Sequence, residues 1–215
     1  MTIGFVGGTG EEGKGLAFRL ALAGERCVIG SRSRERAEAA AAELRERAEG
    51  LPVFAGLNAD ACREAEIVIV TVPYEGMRDT LSALADDIGA KIVVSAVVPM
   101  RFEGKTVRYT PPAEGSAAQE AQALLPKARV VGAFQNLSAR KLLEGDVPLD
   151  ADVIVCGDDA EAKAAVAALA ERIRGVRAID GGGLASAPFV EAITPLLVNI
   201  NRRYRTQASI RIVGV

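Results

Sequence analysis

Short, continuously apolar segments alternate with segments of helical periodicity along the first hundred residues. Residues 3–6 and 27–30 are such apolar runs, and residues 67–72, with the sequence IVIVTV, form the longest of them. Between the runs, apolar positions recur at helical spacing over 14–23, and an Ala/Glu/Arg-rich segment of high helix propensity covers 34–49. Strands without polar alternation are covered on both faces. The pattern therefore predicts an α/β fold with a doubly wound, mostly parallel sheet.

The second half of the chain continues this alternation after one interruption. From Pro99 to Gly115 the apolar pattern breaks, and we expect a polar loop there. The other predicted elements are a helix over 75–87, a strand over 92–94, a helix capped by Ser116 that ends at 125, a strand at 130–131, a strand over 153–156, a helix over 159–173, a strand over 176–179 and a helix over 188–205.

The last predicted helix, over 188–205, is apolar on nearly every face. Pro195 lies inside it and should bend it. Such a helix is expected to be buried between two parts of the molecule or against a second subunit. Its apolar positions are Phe189, Val190, Ile193, Leu197, Val198, Ile200 and Tyr204.

Composition narrows the possible chemistry. The 215 residues carry 26 Lys and Arg against 28 Asp and Glu, so no overall basic field exists to attract nucleic acid. The absence of histidine excludes imidazole metal sites and every Ser-His-Asp or Cys-His relay, so no metal site is expected. Cys27, Cys62 and Cys156 lie in or beside apolar runs, and we expect them buried and reduced. With no apolar run near the ~20 residues of a membrane helix, a cytoplasmic protein without a membrane partner is expected.

A glycine-rich turn links the first predicted strand to the first helix. It reads Gly8-Thr9-Gly10-Glu11-Glu12-Gly13, the G-x-G-x-x-G pattern of dinucleotide-binding Rossmann folds. Gly8 permits the tight turn, Gly10 lets a pyrophosphate approach the backbone, and Gly13 lets helix and strand pack closely. The N–H groups at the start of the helix then face the anion.

The end of the second strand indicates which dinucleotide binds. An NAD site would place Asp or Glu about 20 residues after the glycines to accept from the ribose 2′-hydroxyl. No carboxylate occurs between Arg26 and Arg34. Instead Ser31 and Arg32 follow the strand, with Arg36 one helical turn later, and guanidinium groups match the geometry of a 2′-phosphate. We therefore predict NADP(H) as the cofactor.

Little else in the chain suggests acid–base catalysis. None of the three tyrosines has a lysine four residues later, so the Tyr-x-x-x-Lys pair of short-chain reductases is missing. Two predicted strands are each followed by a Val-Pro pair, Val72-Pro73 and Val98-Pro99. These pairs lie at the edge of the sheet where Rossmann folds bind the nicotinamide half of the dinucleotide. A well-formed hydride site without an evident acid favours hydride exchange between two carrier rings, which depends mainly on alignment.

Seven stretches together carry a resemblance to a known family. The chain resembles the F420-dependent NADP reductases, also called NADPH:coenzyme F420 oxidoreductases, across essentially its full length. The matching stretches are Gly7-Gly8-Thr9-Gly10, Gly13-Lys14-Gly15, Gly30-Ser31-Arg32, Val72-Pro73, Gly115-Ser116-Ala117-Ala118, Cys156-Gly157-Asp158-Asp159 and Pro195-Leu196-Leu197-Val198-Asn199-Ile200-Asn201.

The resemblance implies a domain organisation and a set of site residues. It implies an NADP-binding Rossmann domain, residues 1–135, and a small C-terminal α/β domain, residues 136–215, with the acceptor pocket and the contacts of a homodimer. It further implies that a deazaflavin, coenzyme F420, stacks on the nicotinamide as the second substrate. The positions that it assigns to NADP are the turn Thr9 to Glu12, Ser31, Arg32 and Arg36, with Val72, Val98 and Ala139 against the nicotinamide half.

The chain departs from the family pattern in one segment. Members of the family carry a histidine after the strand at 130–131, in the segment that lines the pocket for the second substrate. Here this segment contains Gln135, Asn136 and Leu137, which we take as candidate acceptor-binding residues. Two alternatives stay open from the sequence: reduction of another redox ring such as a flavin or pterin carrier, and a non-catalytic NADPH-sensing protein.

Overall fold

Eight strands form one sheet, and two more form a separate hairpin. The computed structural model describes residues 1–145 and 147–215. The strands in chain order are β1 (Thr2–Val6), β2 (Arg26–Ser31), β3 (Val53–Leu57), β4 (Ile67–Val70), β5 (Ile92–Ser95), β6 (Met100–Glu103), β7 (Thr106–Tyr109), β8 (Arg129–Gly132), β9 (Ala151–Gly157) and β10 (Val176–Asp180). The main sheet has the order β10-β9-β8-β5-β4-β1-β2-β3, and β6 pairs only with β7.

In the described residues, seven α-helices lie between these strands and an eighth follows β10. They are α1 (Glu11–Leu22), α2 (Arg34–Arg47), α3 (Asn58–Glu64), α4 (Met77–Ile88), α5 (Ala117–Leu124), α6 (Ala139–Leu142), α7 (Ala160–Glu171) and α8 (Ala187–Tyr204). Ser33, Ser116 and Asp159 each accept a hydrogen bond from a backbone N–H group in the first turn of the helix that follows. These side chains fix the starts of α2, α5 and α7.

The predicted doubly wound, mostly parallel sheet is confirmed. Every neighbouring pair in the main sheet is parallel except β8 and β9, which meet antiparallel over Val131 and Gly132. All four residues of β4 are buried, as its unbroken apolar sequence predicts. Successive β4 residues serve different layers: Ile67 and Ile69 join the core beneath α1, α2 and α7, whereas Val68 and Val70 join the core beneath α4 and α5.

Both predicted domains contribute to this sheet and to its core. The apolar cluster on one face extends without a break from Phe5 on β1 to Val166 on α7. The predicted boundary at 135/136 falls between β8 and α6, where sheet and core are shared. The division into two domains stays a prediction, and the shared core means that the two parts are packed as one body in this chain.

Two parts of the sequence prediction are wrong. The segment from Pro99 to Gly115 is not only loop, because β6 and β7 form a hairpin within it. Most residues of its two strands are exposed, and three of the eight are charged, so the hairpin lacks the apolar signal of a buried strand. The side chain of Asn199 holds the hairpin to α8, accepting from the Val107 N–H at 2.9 Å and donating to the Val107 carbonyl at 2.8 Å. In addition, β3 and α3 were not predicted, since both are short, with five and seven residues.

Helix α8 packs through a buried carboxylate. Glu191 accepts hydrogen bonds from the N–H groups of Ala117 and Ala118, both at 3.0 Å, and from the Tyr109 hydroxyl at 2.9 Å. One side chain thus connects α8 to the start of α5 and to the hairpin. These three hydrogen bonds compensate the Glu191 carboxylate for the hydration that it loses on burial.

The apolar character of α8 is only partly explained by burial. Val190 and Leu197 are buried, whereas Phe189 is 76% and Leu196 is 57% exposed. The segment Leu184–Tyr204 is long and apolar enough to cross a membrane, by length and composition only. The expectation that the chain has no apolar run of this length is therefore wrong. Core helices of soluble proteins meet the same criterion. Glu191, bound to backbone groups of this chain, marks α8 as a packed helix.

The three cysteines are free and buried, as predicted. Burial is the main cause that raises the pKa of the Cys62 thiol to about 12 and that of Cys156 to about 11. Thiols with such pKa values carry almost no thiolate near neutral pH and are unreactive.

Candidate functional site

The glycine turn after β1 is fixed by two backbone hydrogen bonds from its N–H groups. The Gly8 N–H donates to the Gly30 carbonyl at 3.0 Å, and the Gly7 N–H donates to Oδ1 of Asn58 at 3.1 Å. The turn is thereby attached to the end of β2 and to the start of α3. Asn58 was not identified from the sequence, because a lone Asn before a short helix gives no distinctive signal.

Two glycines of the motif serve different purposes, as the sequence predicts. A Cβ atom on Gly13 would lie 2.7 Å from the Gly8 Cα and 2.7 Å from Oγ1 of Thr71, so helix and strand approach too closely for a side chain. A Cβ atom on Gly10 would meet nothing within 4 Å. Gly13 therefore makes the packing possible, while Gly10 leaves open space beside the backbone.

The start of α1 has free donors for an anion. Gly10 is the N-cap, and no side chain caps the helix. The first N–H groups of a helix have no partners within it, and the helix dipole favours negative charge there. Open space at Gly10 and uncapped donors fit a pyrophosphate, so the turn can hold a dinucleotide.

The basic residues after β2 are not equivalent. Arg34 pairs with Asp60, Nη2 to Oδ2 at 2.9 Å, whereas the guanidinium groups of Arg32 and Arg36 are exposed and have no hydrogen bond or ion pair within residues 1–145 and 147–215. Ser31 is buried, and its hydroxyl accepts from the Ser33 N–H at 3.3 Å. Two uncommitted cations beside the sheet edge remain free to bind a phosphate.

A cavity of about 610 Å³ lies beside the turn, at the carboxyl ends of β4 and β5 and against α8. All of the predicted nicotinamide and acceptor residues line it, together with three residues of the glycine turn. These are Gly10, Glu11, Glu12, Val72, Pro73, Val98, Gln135, Asn136, Leu137 and Ala139. The other predicted residues do not line it: Gly8 and Thr9 lie in the turn, Gly13 lies in the first turn of α1, Ser31 ends β2, Arg32 follows it and Arg36 lies on α2. The residues predicted for the nicotinamide and the acceptor thus line the cavity, whereas those predicted for the 2′-phosphate lie outside it.

The segment after β8 presents unpaired oxygen atoms. Gln135 and Asn136 are buried, and each donates its amide N–H to a backbone carbonyl, of Ser95 at 3.0 Å and of Asp152 at 2.7 Å. Reversing either amide would place two oxygens in contact, so these bonds fix both orientations. Oε1 of Gln135 and Oδ1 of Asn136 accept nothing from the described residues. Buried acceptors without donors in a cavity wall favour a ligand that carries N–H groups.

This segment is under local strain and is held from outside. Phe134, fully buried, has a φ of 75°, a left-handed conformation that is costly for a bulky residue. Thr194 on α8 donates its hydroxyl to the Gln135 carbonyl at 2.6 Å, and the Ser138 hydroxyl donates to Oε1 of Gln207 at 2.7 Å. Helix α8 and the tail that follows it therefore position the wall containing Gln135 and Asn136.

Contacts with α1 fix the position of helix α6, which carries Ala139. The guanidinium of buried Arg19 donates to the carbonyls of Lys141, Leu142 and Val147 at 2.6–2.8 Å. A Cβ atom on Gly15 would lie 2.6 Å from the Leu142 Cβ, so the two helices are in close contact. Helix α1, whose first turn lines the cavity, thus also supports the part of the cavity wall that α6 provides.

Several cavity residues were missed by sequence analysis. Tyr74, Arg140, Val198 and Asn201 line the cavity. Val198 and Asn201 belong to a stretch that carries the family resemblance, but none of the four was predicted as a site residue. The Tyr74 hydroxyl donates to Oε2 of Glu120 at 2.9 Å, and burial chiefly raises the pKa of Tyr74 to about 12.

Comparison with known proteins gives a consistent assignment. Residues 2–99 match the family described as NADP oxidoreductase, coenzyme F420-dependent. The F420-dependent NADP reductase of Methanothermobacter thermautotrophicus is 43% identical over 222 aligned positions, which cover 100% of this chain and 96% of the relative. That of Methanocaldococcus jannaschii is 41% identical, covering 100% and 99%. A crystal structure of a candidate F420-dependent NADP reductase from Arthrobacter sp. FB24 matches with a TM-score of 0.85 at 27% identity, and both chains are covered completely.

The first prediction concerns the two uncommitted arginines. A hydrogen bond to a charged group contributes about 1.5–3 kcal/mol, so Arg32→Ala should weaken NADPH binding ~10- to 150-fold, with a similar direction for Arg36→Ala. NADH lacks the 2′-phosphate and should bind unchanged. Fluorescence titration measures both affinities. Arg34→Ala is the matched control, because Arg34 is already paired with Asp60, and an equal loss for NADPH and NADH in Arg32→Ala would contradict the assignment.

The second prediction separates the two glycines. Gly10→Ala should change the free energy of unfolding by no more than about 1 kcal/mol, since its φ of −75° suits any residue and the methyl group meets nothing. It should nevertheless prevent tight NADPH binding by filling the space beside the backbone. Gly13→Ala should instead destabilise the fold by about 1–3 kcal/mol through overpacking. Urea unfolding together with NADPH titration distinguishes these outcomes, and normal NADPH affinity in Gly10→Ala would refute the pyrophosphate site.

Proposed function

The chain belongs to the family of F420-dependent NADP reductases, and we propose that it transfers a hydride between NADP(H) and coenzyme F420 within the cavity beside the glycine turn. The observation that supports this most directly is structural. Three groups of residues that the sequence analysis selects line one cavity. They are Gly10 to Glu12 in the glycine turn, Val72, Pro73 and Val98 after β4 and β5, and the segment Gln135 to Leu137. Identities of 41–44% over the whole chain to three reductases of this name support the same pair of substrates.

The turn and β2 would bind the nucleotide. The pyrophosphate would meet the N–H groups at the start of α1 beside Gly10, and Ser31, Arg32 and Arg36 would bind the 2′-phosphate. Val72, Val98 and Ala139 would then contact the nicotinamide half. These three side chains are apolar and line the cavity, so they exclude water from the ring that supplies the hydride.

The Gln135 segment would orient the acceptor. A deazaflavin ring has carbonyl oxygens and ring N–H groups along one edge. The free Oε1 of Gln135 and Oδ1 of Asn136 can accept from such N–H groups, while Leu137 offers an apolar surface. Such contacts would align the acceptor ring with the nicotinamide, and alignment is the main requirement of hydride transfer between two rings. Family membership favours F420 over the flavin and pterin carriers that the sequence alone left open, and over a silent NADPH sensor.

We also propose that the protein is a cytoplasmic homodimer. The exposed side chains of Phe189 and Leu196 lie seven residues apart on α8, and therefore on one face of the helix. Burying two such side chains against a second copy would stabilise the assembly. The three buried thiols are compatible with a reducing compartment. We propose no nucleic-acid partner and no membrane partner.

The function is tested by acceptor selectivity together with Gln135. Wild-type protein should oxidise NADPH with F420 and much more slowly with FMN, FAD or a pterin. Gln135→Leu should raise the KM for F420 about 2- to 10-fold, the value of one neutral hydrogen bond, and leave the NADPH affinity unchanged. Gln135→His should retain activity and add a pH dependence near ~6.5, the ordinary imidazole pKa.

Two outcomes would contradict this. Turnover with a flavin or pterin but not with F420 would overturn the substrate while leaving the NADPH site intact. Equal losses of F420 and NADPH affinity in Gln135→Leu would indicate a general distortion of the cavity.

The dimer is tested on its exposed face. Sedimentation velocity should show wild-type protein as a dimer at micromolar concentration, and Leu196→Glu should produce monomers because a charge cannot be buried unpaired in an apolar contact. Val213→Glu is the matched control, since Val213 is exposed and lies outside α8. Val198 is unsuitable for this test because it lines the cavity. A wild-type monomer would refute the dimer, and a Leu196→Glu dimer would exclude this face.

A further inference from the structure

Glu12 places an unpartnered carboxyl group in the wall of the cavity. It is the second residue of α1, and its side chain lines the cavity together with Val72 and Gln135. Its Oε1 is enclosed, and no residue in the described part of the chain donates to it. The sequence motif assigns only the backbone of this position to the nucleotide, so the side chain is not accounted for by the binding of the pyrophosphate.

The surroundings of Glu12 favour the neutral acid. The charged or titratable side chains that share the cavity wall are Glu11 on the same helix, Tyr74 after β4 and Arg140 on α6. None of them contributes to the pKa of Glu12, and Lys14, two residues further along α1, pairs with Glu43. Burial alone raises the pKa of the Glu12 carboxyl to about 8. The helix dipole at the start of α1 acts in the opposite direction, and its effect is smaller than this shift.

The reaction requires a proton that NADPH does not bring. Reduction of a deazaflavin adds a hydride at a ring carbon and a proton at a ring nitrogen. NADPH supplies only the hydride, so each transfer towards F420 consumes one proton. Tyr74 is a poor source, because its hydroxyl donates to Glu120 and its pKa is raised to about 12. Glu12 is the cavity residue whose protonation changes near neutral pH.

We propose that Glu12 is the acid–base residue of this reaction, which donates its carboxyl proton to a ring nitrogen of F420 and takes it back in the reverse direction. The inference rests on the proposed function. The Glu12 O–H bond breaks as the ring N–H bond forms, while the C–H bond at C4 of the nicotinamide breaks and a C–H bond forms on the deazaflavin. NADPH is oxidised and F420 reduced by the same electron pair. The Glu12 carboxylate regains its proton from water at the mouth of the cavity.

The first experiment requires no substrate. Between about pH 4.5 and 8 a carboxyl with a raised pKa is protonated in the folded chain and ionised in the unfolded chain. The unfolding equilibrium constant of wild-type protein, measured in urea, should therefore rise up to tenfold per pH unit relative to that of Glu12→Gln. Glu11→Gln, which changes an exposed carboxyl on the same helical turn, should retain the wild-type slope. Parallel curves for wild type and Glu12→Gln would overturn the proposal.

The second experiment measures single-turnover reduction of F420 at saturating NADPH. The wild-type rate should be level up to about pH 8 and then fall tenfold per pH unit, as only the protonated form acts. Glu12→Gln should be about 10²- to 10⁴-fold slower with a flat profile, the usual range for loss of a general acid, and Glu12→Asp should recover part of the rate together with the pH dependence. NADPH affinity at pH 7 should be similar in all three proteins.

The outcomes separate the two proposals. A Glu12→Gln rate and pH profile equal to those of wild type would overturn the role of Glu12, while wild-type turnover with F420 would leave the proposed function standing. Failure of wild-type protein to reduce F420 at any pH would overturn both.

Discussion

The close approach of α1 to the end of β1 determines the rest of the site. At Gly13 the helix lies so near Gly8 and Thr71 that no side chain fits between them. This distance brings the free N–H groups of the helix to the sheet edge, where an anion can bind them. Because α1 continues from there, it also sets the positions of Gly15 and Arg19, which hold α6 and its part of the cavity wall. A single packing constraint thus positions the glycine turn and one part of the cavity wall.

The fold was largely predictable because its signals are local. Apolar, β-branched runs such as β4 and capped helices such as α5 can be recognised from a few adjacent residues. The hairpin β6–β7 could not be recognised this way. Its strands are exposed, and it is held to α8 by Asn199, which is 92 residues from its partner Val107. Strand β3 was missed as well: it is a five-residue edge strand, and its apolar residues Phe54 and Leu57 are exposed.

The site was predictable to the extent that it depends on backbone geometry. The glycines and the missing carboxylate after β2 are sequence signals with a direct physical meaning. The roles of side chains are different, because they depend on contacts made across the fold. Arg34 and Arg32 look alike in the sequence, and only the ion pair to Asp60 distinguishes them. Likewise, the free oxygens of Gln135 and Asn136 become evident only once Ser95 and Asp152 are seen to accept their N–H groups.

Because the chain has no histidine, ring recognition and proton exchange are assigned to two different side chains in the proposed reaction. An imidazole in the Gln135 segment would combine ring recognition with a group that titrates near neutral pH. A carboxamide retains the recognition but cannot exchange a proton. A cavity residue with a strongly shifted pKa can then supply the proton, and burial without a partner shifts the pKa of a carboxyl upward, in the required direction. Glu12 lines the same cavity as Gln135, and its Oε1 is enclosed without a donor in the described residues. In the proposed reaction, ring recognition by Gln135 and proton exchange by Glu12 are therefore carried by two side chains, where one histidine could carry both.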